Sequence, residues 1–127
     1  MTIDEYWYSV KGRLLTDTAV VSFNLMRERS TLVDGYLRAR LVFPDKSYLE
    51  FSEYVQLVDD EIKVLTYSYH WATDENHLIK RWDNTPHFPD LPGFPHHIHE
   101  GETIIPGHPE DIFVVLDEVN RSFTSYQ

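Results

Sequence analysis

The 127-residue chain, 42% hydrophobic and 14% aromatic, is long enough for one domain with a hydrophobic core and too apolar for a disordered protein. The absence of cysteine excludes disulfides, thiolate metal ligands and cysteine nucleophiles. The formal net charge is −10, and residues 83–119 hold eight acids and no lysine or arginine. This part of the chain should therefore repel phosphate backbones and attract cations or a basic partner.

The sequence gives no indication of a membrane protein. It has no apolar run that approaches the roughly 18 residues of a membrane span. The N-terminus begins with Asp4 and Glu5 rather than with the basic side chains of a signal peptide. We therefore predict a cytoplasmic protein with no membrane partner.

The N-terminal residues predict a helix over about residues 2–14. Thr2 and Glu5 have the spacing of a capping box, in which each side chain accepts a hydrogen bond from the backbone N–H of the other residue. The apolar residues that follow recur at helical intervals: Ile3, Tyr6, Trp7, Val10 and Leu14.

The middle of the chain, about residues 18–84, alternates apolar and polar residues as half-buried strands do. Turn residues at 44–46, 59–60 and 74–76 separate the alternating runs. Runs joined by such short turns form sequential hairpins, so the pattern predicts an antiparallel meander of four or five strands.

The C-terminal part predicts a second helix over about residues 109–121. Pro109 suits the first helical position, the two acids after it complement the helix dipole, and the later apolar residues lie on one side. Helices at both ends of a meander predict a single α+β domain over residues 1–127. Both helices should pack on one face of the sheet, with a long Pro/His-rich loop at 85–108.

The first hairpin should set Leu41 opposite Leu49 and Ala39 opposite Phe51, because this register keeps the apolar side chains on one face. Glu53 has the same parity and therefore points toward the apolar face. A carboxylate in such a place needs hydrogen-bond partners or a raised pKa.

The simplest registers of the next two turns bring polar side chains to Glu53, since they pair Glu53 with Thr66 and Ser68 with Arg81. Six polar residues would then share one face: Glu53, Thr66, Ser68, His70, Arg81 and Asp83. Such a cluster suits general acid/base catalysis, with Arg81 stabilising an anion and Glu53 or His70 transferring a proton. It suits equally a structural network of ion pairs and hydrogen bonds.

The segment from Arg81 to His99 holds four prolines and four histidines. His97 and His99, two apart in an extended segment, point to one side as metal ligands on a strand do, and His87, His96 or a nearby acid would complete the set. A divalent metal bound in this way is the one cofactor that the sequence suggests. The spacing matches no zinc motif, so a pH-sensitive histidine patch is the alternative.

The prolines of the same segment favour a structural interpretation. They recur every third residue, at 86, 89, 92 and 95, as in a polyproline-like extended run. The side chains expected to pack onto the sheet are Phe88, Leu91 and Phe94. A long ordered loop also commonly forms the wall of a site or a partner surface.

The opposite face of the meander combines arginine with tyrosine: Tyr36, Arg38, Arg40, Tyr48 and Tyr54. Such a surface binds single-stranded nucleic acid by stacking and phosphate contact. Glu50, directly across from Arg40, favours a solvated cross-strand salt bridge instead. The alternation also places on this face three rings that a helix or another protein would cover: Tyr67, Tyr69 and Trp71.

The succession FSEYV, YSYHW and RWDN-x-PH-x-P-x-LP-x-FPHH-x-H, then an acidic segment and a short helix, resembles the TumE family over about residues 18–119. The resemblance is most specific between Arg81 and His99. It carries over to these motif positions: Glu53, Tyr69, His70, Arg81, Asp83, Asn84, Pro86, His87, Pro95, His96, His97 and His99. It implies the toxin of a toxin–antitoxin pair, usually encoded beside a helix-turn-helix antitoxin.

From these observations we predict a toxin-like protein that acts on RNA as a small, metal-independent ribonuclease. Its candidate catalytic residues are Glu53, His70, Arg81, Asp83, His87, His96 and His97. Two alternatives stay open: a non-enzymatic module that docks a basic partner through its acidic, His-rich C-terminal third, and a small metal-binding β protein. The expected partners are a helix-turn-helix antitoxin and RNA, with a homodimer left open.

Overall fold

The computed structural model describes residues 1–124, which form two helices and one seven-stranded antiparallel sheet. The elements are α1 (Ile3–Thr16), β1 (Ser22–Ser30), β2 (Asp34–Val42), β3 (Tyr48–Val58), β4 (Glu61–Ala72), β5 (Leu78–Asp83), β6 (His97–Glu100), β7 (Thr103–Pro106) and α2 (Ile112–Thr124). Each strand pairs with its neighbour in sequence, in the order β1 to β7. The predicted α+β class is confirmed, although the sheet has seven strands rather than four or five.

The first helix, α1, begins as the sequence predicts. The Thr2 hydroxyl accepts a hydrogen bond from Glu5 N at 3.1 Å, and Glu5 Oε1 accepts one from Thr2 N at 2.8 Å. The predicted apolar stripe is buried: Ile3, Tyr6, Trp7, Val10 and Leu14. Gly35 of β2 permits this close packing, because a Cβ atom there would lie 2.6 Å from Trp7 Nε1.

The second helix, α2, begins at Ile112 rather than at the predicted Pro109. Asp111 is the residue that starts it: its carboxylate accepts from Val114 N at 2.9 Å and its carbonyl accepts from Val115 N at 3.1 Å. An aspartate that satisfies these N–H groups defines the start more strongly than a proline does. The helix packs into the same core as α1 through Ile112, Val115, Leu116 and Val119. Within residues 1–124, neither helix is long and apolar enough to span a membrane.

The sheet therefore has one face covered by both helices and one face that points away from them, called the open face below. Between β2 and β3 the predicted register is confirmed, because Leu41 pairs with Leu49 and Ala39 with Phe51. These side chains are buried beneath the helices.

The register between β3 and β4 changes at a β-bulge. Val55 pairs with Val64, but the next pair is Tyr54 with Thr66, so Leu65 is an extra residue in β4. Side chains alternate along a strand, and one extra residue moves every later side chain of β4 to the other face.

This bulge removes Glu53 from the predicted polar cluster, whereas the other five residues share one face as predicted: Thr66, Ser68, His70, Arg81 and Asp83. Glu53 pairs with Tyr67 rather than Thr66, and Arg81 pairs with His70. Glu53 therefore faces the helices, whereas His70 and Arg81 lie on the open face. The rings predicted on the open face are instead buried in the core: Tyr67, Tyr69 and Trp71.

Asn84 fills the irregularity that the bulge leaves. Its Oδ1 accepts from Tyr67 N at 3.0 Å, and its Nδ2 donates to the Leu65 carbonyl at 2.8 Å. β5 ends at Asp83, so the backbone of Asn84 no longer pairs with β4. The Asn84 side chain makes the next two hydrogen bonds to the backbone of β4 instead. Asn84 thus helps to determine which side chains of β4 reach the open face.

The Pro/His-rich segment consists of turns followed by the strands β6 and β7. Successive hydrogen bonds close the turns, from Leu91 N to the Phe88 carbonyl at 3.0 Å and from Phe94 N to the Leu91 carbonyl at 3.2 Å. The predicted polyproline-like run is wrong, because such a run has no internal hydrogen bonds. Phe88 and Phe94 are 42% and 43% exposed, so neither is buried in the core. Phe88 nevertheless packs onto β6 as predicted, because its ring lies against His97 and His99.

Candidate functional site

Glu53 is fully buried at the junction of the sheet with both helices. Its Oε1 accepts a hydrogen bond from the Tyr6 hydroxyl at 2.6 Å, and its Oε2 accepts from the Tyr69 hydroxyl at 2.6 Å and from Ile112 N at 2.8 Å. These donors belong to α1, β4 and α2. The inward orientation predicted for Glu53 is confirmed, and its partners identify it as a structural link on the face opposite His70 and Arg81.

The stability of the protein should depend on pH through Glu53. Burial raises the pKa of this carboxyl above its ordinary value of 4.5, although its hydrogen bonds act in the opposite direction. Above pH 4.5 the unfolded chain has lost this proton while the folded chain still holds it, so the free energy of unfolding falls as pH rises toward the folded-state pKa. We expect a difference in stability between wild type and Glu53→Gln that shrinks by up to about 1.4 kcal/mol per pH unit over this range. Urea unfolding of both proteins from pH 4.5 upward measures it, and a constant difference would contradict a raised pKa.

On the open face, strands β2 to β5 line a depression with a volume of about 540 Å³. Its polar lining consists of Arg38, Arg40, Tyr48, Glu50, Ser52, Ser68, His70 and Arg81. Three guanidinium groups against one carboxylate make this a locally basic surface in a protein of net charge −10. Such a surface can hold an anion that the rest of the protein repels.

The arginines on β2 share one carboxylate. Glu50 contacts Arg38 Nη2 directly and lies 3.7 Å from Arg40 Nη1, and the Arg40 guanidinium stacks 3.8 Å from the centroid of the Tyr48 ring. The predicted cross-strand salt bridge between Arg40 and Glu50 is confirmed. Since one carboxylate neutralises only one of the two guanidinium groups, positive charge remains available to a ligand.

Arg81 joins the depression to the polar residues at its edge. Its Nε donates to Asp83 Oδ2 at 2.9 Å, and its Nη1 lies 3.1 Å from His70 Nδ1. A guanidinium can only donate, so Nδ1 of His70 accepts and Nε2 carries the ring proton. Burial, assisted by the charge of Arg81, lowers the pKa of His70, which keeps the ring neutral at pH 7.

Asp83, His97 and His99 form a second group beside Arg81, hereafter the Asp–His–His cluster. Asp83 and His97 are both buried, and His97 Nε2 lies 2.9 Å from Asp83 Oδ1. His99 Nε2 lies 3.9 Å from Asp83 Oδ2. The prediction that His97 and His99 point to one side is confirmed, because β6 pairs His97 with Asp83 and His99 with Arg81.

Neighbouring groups hold this cluster in place. Asp83 Oδ1 accepts a hydrogen bond from Thr85 N at 3.1 Å, and His97 Nδ1 lies 3.0 Å from the Pro95 carbonyl oxygen. The ring of Phe88 covers both imidazoles edge-on, 5.2 Å from His97 and 6.3 Å from His99 between centroids. Phe88 adopts a φ of 58°, which turns its ring back over the strand. The Pro/His-rich segment therefore forms one wall of the site.

The remaining predicted histidines divide between the two sides of the sheet. His96 stacks on Tyr67 at 5.8 Å, with Nδ1 2.8 Å from the Tyr67 hydroxyl, on the helix-covered side. His87 lies at the rim of the Asp–His–His cluster, its ring 6.4 Å from that of His97. Of the predicted catalytic residues, the structure brings four together: His70, Arg81, Asp83 and His97. His99 was not among the predicted catalytic residues, although its spacing from His97 pointed to it.

The acids of the C-terminal third are engaged to a large extent within the protein. Four of them form ion pairs: Asp83 with Arg81, Glu100 and Glu118 with Lys80, and Asp117 with Arg13. Glu110 is buried, with its pKa raised by burial. Less of this negative charge is free to dock a basic partner than the sequence suggested.

The sheet and its open face define a class of small α+β proteins in which arginine, histidine and aspartate line a surface that the helices leave uncovered. Within this class the chain belongs to a toxin family, because the family model described as Toxin TumE matches residues 11–125, nearly the whole chain. Family membership supports a toxin-like function and suggests a toxin–antitoxin partner. No curated protein and no solved structure matches the chain significantly.

Proposed function

We propose that this TumE-family protein inhibits growth by acting on RNA as a small endoribonuclease, with the open face as its active site. The observation that supports this most directly is the position of Arg81, which contacts both His70 and Asp83 at the edge of a basic depression. Phosphodiester cleavage needs cationic groups on the phosphate and a neighbouring group that exchanges protons.

The depression suits a nucleotide in size and in charge. Its volume of about 540 Å³ lies within the range of small-molecule sites. Arg38, Arg40 and Arg81 line it from two sides, so a phosphate between them can receive several charge-assisted hydrogen bonds. The local positive charge offsets the repulsion that an acidic protein exerts on RNA.

His70 and the Asp–His–His cluster divide the proton chemistry between them in this proposal. His70 Nε2–H, held in that tautomer by Arg81, donates a hydrogen bond to a phosphate oxygen. A water held by the Asp–His–His cluster accepts the proton of the attacking 2′-hydroxyl. The 2′-oxygen bonds to phosphorus as the bond to the 5′-oxygen breaks, and the 5′-oxygen takes a proton from solvent water. We also propose a helix-turn-helix protein as the antitoxin, and a gene for such a protein next to this one is the check.

Replacing His70 by alanine is expected to reduce RNA cleavage by about 10²- to 10⁴-fold, the usual contribution of a positioned acid–base group. The measurement is induced expression in a bacterial host, with growth curves and sequencing of RNA ends. His77→Ala is the matched control, because His77 lies exposed in the turn between β4 and β5 and should leave toxicity unchanged. Growth inhibition without new RNA ends would refute the ribonuclease proposal while leaving the protein a toxin.

A further inference from the structure

The buried imidazole of His97 has one nitrogen, Nε2, that lies next to a carboxylate oxygen and has no hydrogen-bond donor within residues 1–124. The Pro95 carbonyl can only accept a hydrogen bond, so Nδ1 of His97 carries the ring proton. In the neutral ring, the lone pair of Nε2 then faces Asp83 Oδ1 at 2.9 Å. Within residues 1–124, Nε2 has no partner in hydrogen-bonding geometry, although only 1% of the side chain is exposed.

We propose that Asp83, His97 and His99 bind a divalent first-row transition-metal ion. The metal-ligating atoms of these three residues lie within 4.8 Å of one another. A tetrahedral ion about 2.0–2.2 Å from each nitrogen and oxygen sets these atoms roughly 3.4 Å apart, so the widest pair must close by up to about 1.4 Å. His99 can supply this movement, because its side chain is 25% exposed and borders solvent.

The donor set indicates which metals the site takes. Two imidazoles and one carboxylate are ligands for zinc, iron, cobalt, nickel or manganese, whereas magnesium and calcium prefer oxygen alone. Three protein ligands also leave coordination positions for water or substrate.

The groups around the cluster match those that surround bound metals. The Nδ1–H of His97 donates to a backbone carbonyl, which fixes the tautomer that presents Nε2 to an ion. Arg81 Nε and Thr85 N hold the two oxygens of Asp83. Phe88 shields the imidazoles from one side and limits the water that reaches them.

The metal site rests on the proposed function for its role in catalysis. Metal binding itself can be tested without measuring RNA cleavage. Arg81 lines the depression and also contacts Asp83, so a bound ion would lie at the edge of the phosphate-binding surface. There it would supply the Lewis acid that polarises a phosphate oxygen or a bound water. This differs from the metal-independent cleavage that the sequence alone predicted.

The test is direct binding of Co²⁺ and Zn²⁺ to the metal-stripped full-length protein, with no RNA present. We expect one equivalent of Co²⁺ to give visible d–d absorption that Zn²⁺ abolishes by displacement, and we expect Mg²⁺ to do neither. Zn²⁺ at about 100 times its Kd should raise the Tm by roughly 10 °C.

Substitutions of the two histidines test whether Co²⁺ binds at the Asp–His–His cluster. His97→Gln and His99→Gln should each weaken Co²⁺ binding by more than the roughly 10- to 100-fold that loss of an outer-shell partner causes. His99→Gln is the more informative variant, because this side chain is 25% exposed and its replacement disturbs the buried core less than His97→Gln does. His77→Gln is the matched control and should bind as wild type does. Absence of stoichiometric binding, or equal binding by wild type and His99→Gln, would overturn the proposal. Metal binding without RNA cleavage would leave the metal site standing and refute only the proposed activity.

Discussion

Replacing Glu53 by alanine is expected to lower the free energy of unfolding by about 3–5 kcal/mol, the effect of removing one partner from a buried charged or hydrogen-bonded group. The change leaves the Tyr6 hydroxyl, the Tyr69 hydroxyl and Ile112 N without their acceptor, and it leaves a cavity. These donors come from α1, β4 and α2, so both helices lose an attachment to the sheet. Since domains of this size are stable by about 5–15 kcal/mol, the loss is a large fraction of the total. Urea unfolding followed by far-UV circular dichroism measures it.

Two variants control for the chemistry of this change. Glu50→Ala removes the same side chain from the open face, where the ion pairs with Arg38 and Arg40 are partly solvated, and should cost about 1 kcal/mol or less. Glu53→Gln keeps the shape and one acceptor oxygen, so its cost should lie between those of the two alanine variants. Equal costs for Glu53→Ala and Glu50→Ala would contradict the role of Glu53 as a link between the helices and the sheet.

The elements that local sequence determines were predictable. The capping box at Thr2 and Glu5 and the apolar stripe of α1 depend on residues within one or two turns of each other. The register of β2 and β3 depends on a short turn and on alternation, so Leu41 and Leu49 meet as predicted. In each of these cases the interacting residues lie close in the chain.

The bulge at Leu65 was not predictable in this way, and two errors follow from it: the grouping of Glu53 with His70 and the placement of the three aromatic rings of β4 on the open face. The Asp59–Asp60 turn gives the predicted register as far as Val64, and the extra residue then reverses the alternation. The side chain that occupies the bulge, Asn84, is 19 residues beyond Leu65 and reaches it only after β5 has formed. An interaction of that kind leaves no periodic signal in the sequence, although Asn84 does belong to the family motif.

The candidate site combines both kinds of information. His97 and His99 were placed on one side by their spacing alone, since residues two apart share a face of a strand. The choice of Asp83 as their neighbour required the pairing of β5 with β6, a strand of four residues within a segment read as loop. Glu53 was correctly placed inward, but its partners on α1 and α2 come from tertiary packing that periodicity does not encode.

Replacing Arg81 by alanine is expected to abolish growth inhibition and to lower RNA cleavage by about 10²- to 10³-fold, as loss of one transition-state donor does. The guanidinium contacts both His70 and Asp83, and it lines the depression where phosphate is proposed to bind. Its loss removes a positive charge that would contact the phosphate. It also removes the donor that keeps the ring proton of His70 on Nε2. Induced expression with growth curves, together with cleavage of a defined RNA by purified protein, measures both effects.

Activity should depend on the two donor nitrogens of the Arg81 guanidinium, Nε and Nη1, and not on its charge alone. Arg81→Lys keeps the charge but cannot donate to Asp83 and His70 from two fixed nitrogens, so it should recover only a small part of the activity. Arg121→Ala removes the same charge from α2, away from the open face, and should remain as toxic as wild type. Circular dichroism and the Tm establish whether each variant is folded, because the buried carboxylate of Asp83 loses one of its partners when Arg81 is replaced. Full toxicity of a folded Arg81→Ala protein would rule out the open face as the site, and it would do so whether or not the Asp–His–His cluster binds metal.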